Sequence, residues 1–222
     1  MISKESLQFL EDLKKNNNRE WFQANKKRYE TYKAEYHLLI AQMLDALKPK
    51  DSALAMLEVK NCTFRINRDI RFSKDKSPYK THMGMWFNTS TQFGNGPGYY
   101  IHIEKGKSFI AGGYYQPEAS ELKKFRKEIA FFHDDLEEII KDKKFKSVFG
   151  DLDRENSLKT SPKDFEKDHP AIEFLKLKSF TATSQLPDNE IADKDFIKKT
   201  ADKIIALKPL NEFLRRALSA EE

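Results

Sequence analysis

The sequence predicts an α+β fold: an antiparallel sheet of about four to five strands, flanked by N-terminal, central and C-terminal helices. Three observations carry this expectation. Apolar residues recur at helical spacing near both ends of the chain. Two-residue alternation and turn signals fill the middle. Helical runs bracket the strands instead of alternating with them, which separates α+β from a parallel α/β arrangement. At 222 residues the chain suits one domain over 1–222. It divides into a helical hairpin at about 3–48, a sheet region at about 60–116, and a helical C-terminal region at about 117–222.

The elements follow in order. A short helix from about Leu7 to Leu13 precedes the "NNNRE" run, where Asn17 is expected to cap and Glu20 lies three residues on. Phe22, Tyr29, Tyr32, Tyr36, Leu39, Met43 and Leu47 then form one apolar stripe on a long helix. Residues 63–72 alternate, and "HMGMWF" and "YYIHIE" read as strands. "FGNGPG" at 93–98 reads as a loop. Lys105–Gly106 is expected to turn Tyr99–Glu104 onto Ser108–Tyr115 as a hairpin. Pro117 is placed at the first position of a helix, whose buried stripe continues through Leu122, Phe125, Ile129, Phe132, Leu136 and Ile140. A further strand is expected near "KSFTATSQL". A helical tail begins at Asp193, with Pro209 breaking or kinking it.

Composition excludes several classes. The single cysteine, Cys62, cannot form an intrachain disulfide and fits a reducing compartment as a small buried hydrophobe. No apolar run reaches membrane-spanning length, and "MISKESLQFL" does not resemble a signal peptide. A cytoplasmic protein without a membrane partner is expected. Charged residues make up 34% of the chain, yet the net charge is only +5. That excess suits a local patch better than a general nucleic-acid coat.

The patch is "FRINRDIRFSKDKSPYKT" at 64–81. Arg65, Arg68, Arg71, Lys74, Lys76 and Lys80 stand there against Asp69 and Asp75, four of the five net positive charges. As a strand, 64–72 turns Phe64, Ile66, Ile70 and Phe72 one way, and Arg68 falls in that apolar row. A guanidinium there needs a carboxylate, a carbonyl or a bound anion. As a helix, the three arginines form one ridge. Either way, arginine suits bidentate recognition of phosphate, lysine adds a compact charge, and the Ser73, Ser77 and Tyr79 hydroxyls add donors. The same charges are also compatible with an internally paired network.

Other constellations are thinner. A strand at 99–104 aligns Tyr100, His102 and Glu104 on one face. His102 beside Glu104 can serve as an acid–base pair, and an exposed polar face explains the same residues. "GGYYQPEASEL" sets a glycine pair before a helix, as a tight turn or an anion site, and Arg126 lies farther along that helix. Asp151, Asp153 and Glu155 lack the glycine of a calcium loop. No phosphate loop, dinucleotide fingerprint or nucleophile elbow is present. His37, His82, His102, His133 and His169 are dispersed without zinc spacing, so neither a metal nor a cofactor is expected.

Together, "NNNREWFQANKKRYE", "FRINRDIRFSKDKSPYKT", "AGGYYQPE" and "DHPAIEFLKLKSF" resemble the uncharacterised bacterial family catalogued as domain of unknown function 2461. The resemblance runs from about residue 5 to residue 185. It implies importance for Arg65, Arg68, Asp69, Arg71, Lys76, Pro78, Tyr79 and Lys80, and transfers no activity. Where the family commonly reads Pro–Lys–Gly, this chain has Pro162, Lys163 and Asp164. Any anion contact made by that loop in relatives is therefore in doubt here.

Three functions use these residues. The first is a site for a phosphate-bearing small molecule on Arg65, Arg68, Asp69, Arg71, Lys74, Lys76, Tyr79 and Lys80, lined by Tyr100, His102 and Arg126. Hydrolysis or transfer at a phosphoryl group is the chemistry that suits it. The second is a nucleic-acid-binding module with Trp86, Phe87 and Tyr99 as stacking surfaces. The third is a non-catalytic interaction or structural protein whose basic segment is internally paired.

Overall fold

The computed structural model describes residues 2–90 and 96–220. In chain order these form α1 (Lys4–Lys15), α2 (Arg19–Ala24), α3 (Lys26–Leu47), α4 (Val59–Cys62), β1 (Met83–Asn88), β2 (Gly98–Ile103), β3 (Phe109–Tyr114) and α5 (Ala119–Phe131). After these come α6 (His133–Lys141), α7 (Lys143–Phe149), α8 (Ile172–Leu175), β4 (Phe180–Gln185), α9 (Asp188–Ile191), α10 (Phe196–Ile204) and α11 (Lys208–Ser219). The strands make one antiparallel sheet in the order β1-β2-β3-β4, so the α+β class and the strand number hold. Gly106 adopts a φ of 71° in the β2–β3 turn, a backbone angle glycine takes without steric cost.

Two compact units make up the chain. The first comprises Met1–Phe87, Tyr100–Ile110 and Gln185–Ala201. Here α1 packs on α3, and Phe9, Leu13, Ile40, Met43, Leu47, Met85, Ile101 and Ile103 are almost wholly buried. The long apolar stripe is real but interrupted. Asn25 ends α2 and precedes α3, so Phe22 lies on a separate short helix. The cap is also displaced by one residue. Asn18, not Asn17, accepts from the Trp21 amide, satisfying an orphan donor of the first turn. Asn17 is thereby free to bond elsewhere. Cys62 is buried on α4, and burial pushes its thiol up to about 12, which fits a packing role and not a nucleophile.

The second unit comprises Asn88–Tyr99, Ala111–Ser184 and Asp202–Glu222. In it α11 packs on α5 and α6. Phe125, Ile129, Leu136, Phe145, Phe180, Leu210 and Leu214 are buried. The central stripe breaks at Phe132, which is 47% exposed and separates α5 from α6. Pro117 does not open α5. Glu118 is the cap, paired with Glu121 in a capping box, so the proline lies just outside the helix. Pro209, by contrast, sits in the first turn of α11, where its missing N–H costs nothing.

The glycine pair is neither a turn nor an anion site. Gly112 and Gly113 lie inside β3, and Gly113 has a φ of 102°. A Cβ there would stand 1.9 Å from the Phe180 carbonyl oxygen. Its amide donates to Asn211 Oδ1 at 3.1 Å. Of the loop expected at 93–98, residues 93–95 lie outside the described residues.

Candidate functional site

The basic segment is neither strand nor helix. It folds back on itself as an irregular hairpin. Arg68 donates from its amide to Pro78 O at 2.9 Å, Lys80 donates to Ile66 O at 2.8 Å, and Asn67 bridges Tyr79. The alternation over 64–72 misleads because its apolar side chains share no buried face: Ile66 and Ile70 are half-buried, and Phe64 meets Tyr100 edge-on. Phe64 is 45% exposed and Phe72 is 94% exposed. A ladder without a buried face has little to hold it in register.

The hairpin is pinned at its base. Tyr79 is buried and stacks on Phe22, with centroids 4.1 Å apart and planes 17° apart. Asn17 Nδ2 donates to Tyr79 O at 2.9 Å, and Tyr79 N donates to Asn17 Oδ1 at 3.0 Å. The side-chain amide thus pairs with the Tyr79 backbone as a neighbouring strand would.

Most of the cations have protein partners. Arg68 donates to Asp75 Oδ2 at 2.5 Å and to Ser77 O at 3.0 Å, a carboxylate and a carbonyl. Arg71 pairs with Asp69, donating from Nε at 3.0 Å and from Nη2 at 2.7 Å. Lys76 Nζ donates to Ile70 O and Lys80 Nζ to Arg65 O. Lys74 is exposed. Arg65 is exposed and has no ion-pair partner among the described residues. Arg126 belongs to the second unit, where it donates to Leu175 O and Leu177 O.

Next to the hairpin, the polar face of β1 and β2 gathers a second group. Tyr100 Oη lies 3.1 Å from His102 Nδ1, and His102 Nε2 lies 3.5 Å from Glu104 Oε2. Glu104 Oε1 accepts from Lys14 Nζ at 2.8 Å. His82 brings its ring centroid to 4.3 Å from that of His102, which also stacks on Phe109 at 4.7 Å. Gly84 leaves the space for this face, because a Cβ there would meet the Tyr100 hydroxyl at 2.8 Å. These residues are far less open than a solvated sheet surface, with the His102 and Glu104 side chains 12% and 15% exposed.

Burial governs the electrostatics. It pushes His82 down to about 4, helped by the neighbouring His102 and by Lys80 and Arg68, while Glu104 opposes the shift. His102 is lowered by burial against the pull of Glu104. Burial alone would raise Glu104, but hydrogen bonds and charge from Lys14 and His102 outweigh it and leave the carboxyl below its usual range. At neutral pH the site therefore holds two neutral imidazoles beside a carboxylate. The sequence expectation paired His102 with Glu104 but left out His82, Lys14 and Asn17. Two-residue parity on the neighbouring strand was the available signal, since it sets His82, Gly84 and Trp86 on one face.

The family described as conserved hypothetical protein, domain of unknown function 2461, matches residues 5–213. The chain belongs to this family. The match to domain of unknown function 2461 reaches beyond the four motifs, through α10 and into the first half of α11. Comparisons with curated proteins and with solved structures gave no match. Within the matched span, two sets of residues meet at the hairpin. Asn17 and Tyr79 fix the hairpin, while Arg65, Arg68 and Lys80 present charge at its base.

One stacking expectation is corrected. Phe87 and Tyr99 are fully buried core residues and offer no face to a base. Trp86 is only partly accessible.

Proposed function

We propose that the base of the basic hairpin binds a phosphate-bearing small molecule, with Arg65, Lys80 and Arg68 as its donors. The observation that carries this reading is the placement of Arg65. It is exposed and makes no close ion pair among the described residues, although its charge reaches Asp69, and its own carbonyl carries the Lys80 ammonium at 2.8 Å. Lys80 and Arg68 both bear electrostatically on His82, so their positive charge acts on that histidine.

The internal pairs do not count strongly against a ligand. Asp75 and Asp69 are 62% and 46% exposed, and ion pairs whose carboxylates are this open to water contribute little. A charge-assisted hydrogen bond to phosphate contributes about 1.5–3 kcal/mol, enough to draw Arg68 away from Asp75. Hydrolysis or transfer at a phosphoryl group is the reaction class that such fixed charges serve.

Calorimetric titration with pyrophosphate and with a nucleoside triphosphate tests this. Arg65→Ala is expected to weaken binding about 10- to 100-fold with an unchanged melting temperature. Equal affinity in wild type, Arg65→Ala and Arg68→Ala would remove the hairpin from any anion site. If Arg68→Ala melts far lower while no phosphate compound shifts the wild type, the segment is a structural network instead.

A second reading, single-stranded nucleic acid, is favoured by one observation at the hairpin tip. Phe72 is 94% exposed, and the Arg71 guanidinium lies 5.8 Å from its ring centroid. An aromatic ring flanked by cations is the element on which bases stack. Retention on single-stranded DNA or RNA that falls steeply with salt and is lost in Phe72→Ala would support it. Flat salt dependence would exclude it.

A further inference from the structure

The geometry points to a divalent transition-metal site, zinc by preference, formed by His82, His102 and Glu104 on the polar face of β1 and β2. One ligating atom from each of the three lies within 4.8 Å of the other two. Ligands roughly 2.0–2.1 Å from a tetrahedral zinc stand about 3.4 Å from one another. His102 Nε2 and Glu104 Oε2, at 3.5 Å, already span such an edge. As a hydrogen bond between those two atoms the same separation is long. A cation between them would turn a poor contact into two good ones. His82, whose backbone immediately precedes β1, offers the third nitrogen within 4.8 Å of both.

The surroundings match what a ligating histidine requires. A metal-bound imidazole donates its other N–H to a fixed acceptor, which sets the tautomer and holds the ring. Tyr100 Oη stands 3.1 Å from His102 Nδ1 and can be that acceptor, leaving Nε2 toward Glu104. Phe109 stacks on the same ring at 11° and removes its remaining freedom. Of the Glu104 oxygens, Oε2 faces the histidines while Oε1 takes the Lys14 ammonium.

The ligand set names the metal class. Two imidazoles and one carboxylate suit zinc and the neighbouring first-row ions, not calcium or magnesium, which take oxygen ligands. Three protein ligands leave a fourth position for water or a substrate oxygen, the pattern of a catalytic zinc site and not of a closed structural one. This inference stands apart from the phosphate reading, because none of Arg65, Arg68 and Lys80 is a ligand.

The test uses the intact protein and the metal alone. Zinc titration by calorimetry is expected to give one ion per chain, with cobalt(II) producing a visible spectrum that zinc abolishes. His82→Ala and His102→Ala should each weaken binding at least 100-fold. Proton NMR of the wild type supplies a readout independent of whether those variants fold. Cobalt or nickel should broaden the ring signals of His82 and His102 first among the five histidines. No binding at millimolar zinc, binding retained in both variants, or broadening led by His37, His133 or His169 would each overturn the site.

Discussion

Asn17 pairs with Tyr79 through both backbone groups, accepting from its amide at 3.0 Å and donating to its carbonyl at 2.9 Å. This two-bond clasp ties the start of α2 to the base of the hairpin, across 62 residues of sequence. The hairpin has no buried face of its own, so its position depends on this clasp, on the Tyr79–Phe22 stack and on the Phe64 amide, which donates to Tyr36 Oη at 3.0 Å.

Replacing Asn17 by Ala should therefore do two things. Losing two part-buried hydrogen bonds costs about 1–3 kcal/mol, which for a chain of this length lowers the melting temperature by roughly 2–10 °C. Hydrogen exchange should accelerate first at the amides of Arg68 and Lys80, which donate across the hairpin. Uniform acceleration throughout the first unit would show that Asn17 supports the whole core and not the hairpin in particular.

Legibility in the sequence followed the kind of periodicity each region carries. The α3 stripe was readable because residues at helical spacing bury together, and Tyr36, Leu39, Met43 and Leu47 do. All four strands stand where the sequence suggests them, from strand-like alternation and composition and, for β3, from the Lys105–Gly106 turn. The same signal failed at 64–72, because alternation does not report whether another layer covers the apolar side, and nothing covers Phe72. The histidine cluster was hidden for a different reason. His82 and His102 are brought together by register between β1 and β2, which spacing along the chain does not encode. Asn17 was assigned to a helix cap because any asparagine before an amphipathic run can cap. Asn18 won that position, leaving Asn17 for Tyr79.

Gly113→Ala should be among the most damaging single changes in the second unit. The added Cβ would stand 1.9 Å from the Phe180 carbonyl oxygen, a backbone atom, at a φ of 102°. Both the overlap and the left-handed angle penalise it. Losses of about 4 kcal/mol or more accompany changes of this kind, measurable as a lower denaturant midpoint with an unchanged slope. Gly150→Ala is the control, because its positive φ carries strain but a Cβ there meets nothing within 4 Å. Equal effects in the two variants would show that backbone angle alone matters.

The hairpin tip should keep its order in acid. Asp75 is held down at about 2, chiefly by hydrogen bonds from the Ser77 hydroxyl and amide and then by Arg68. A carboxylate lowered on folding contributes fully above its unfolded value of 3.8 and loses that contribution as pH falls through the folded value. The Ser77 amide resonance should thus titrate near pH 2. A midpoint near the unfolded value would mean that the Ser77 and Arg68 contacts do not persist in solution. Arg68→Ala should move the midpoint upward only in part, since the Ser77 bonds remain.

Lys14 supplies the sharpest test of how Glu104 is used. Its ammonium sits 2.8 Å from Oε1 on a side chain that is 47% exposed, so it neutralises the carboxylate without being fixed in place. A metal ion that draws on the charge of Glu104 competes with this partner. Removing the ammonium in Lys14→Met should then tighten zinc binding roughly fivefold, the equivalent of about 1 kcal/mol for an open ion pair. Glu104→Gln should act in the opposite direction and weaken zinc by more, because it takes away both the charge and the better oxygen ligand. Unchanged zinc affinity in both variants would show that Glu104 serves Lys14 and His102 alone, as a clasp between α1 and β2. In that case the two histidines would lack the carboxylate that completes a three-ligand site.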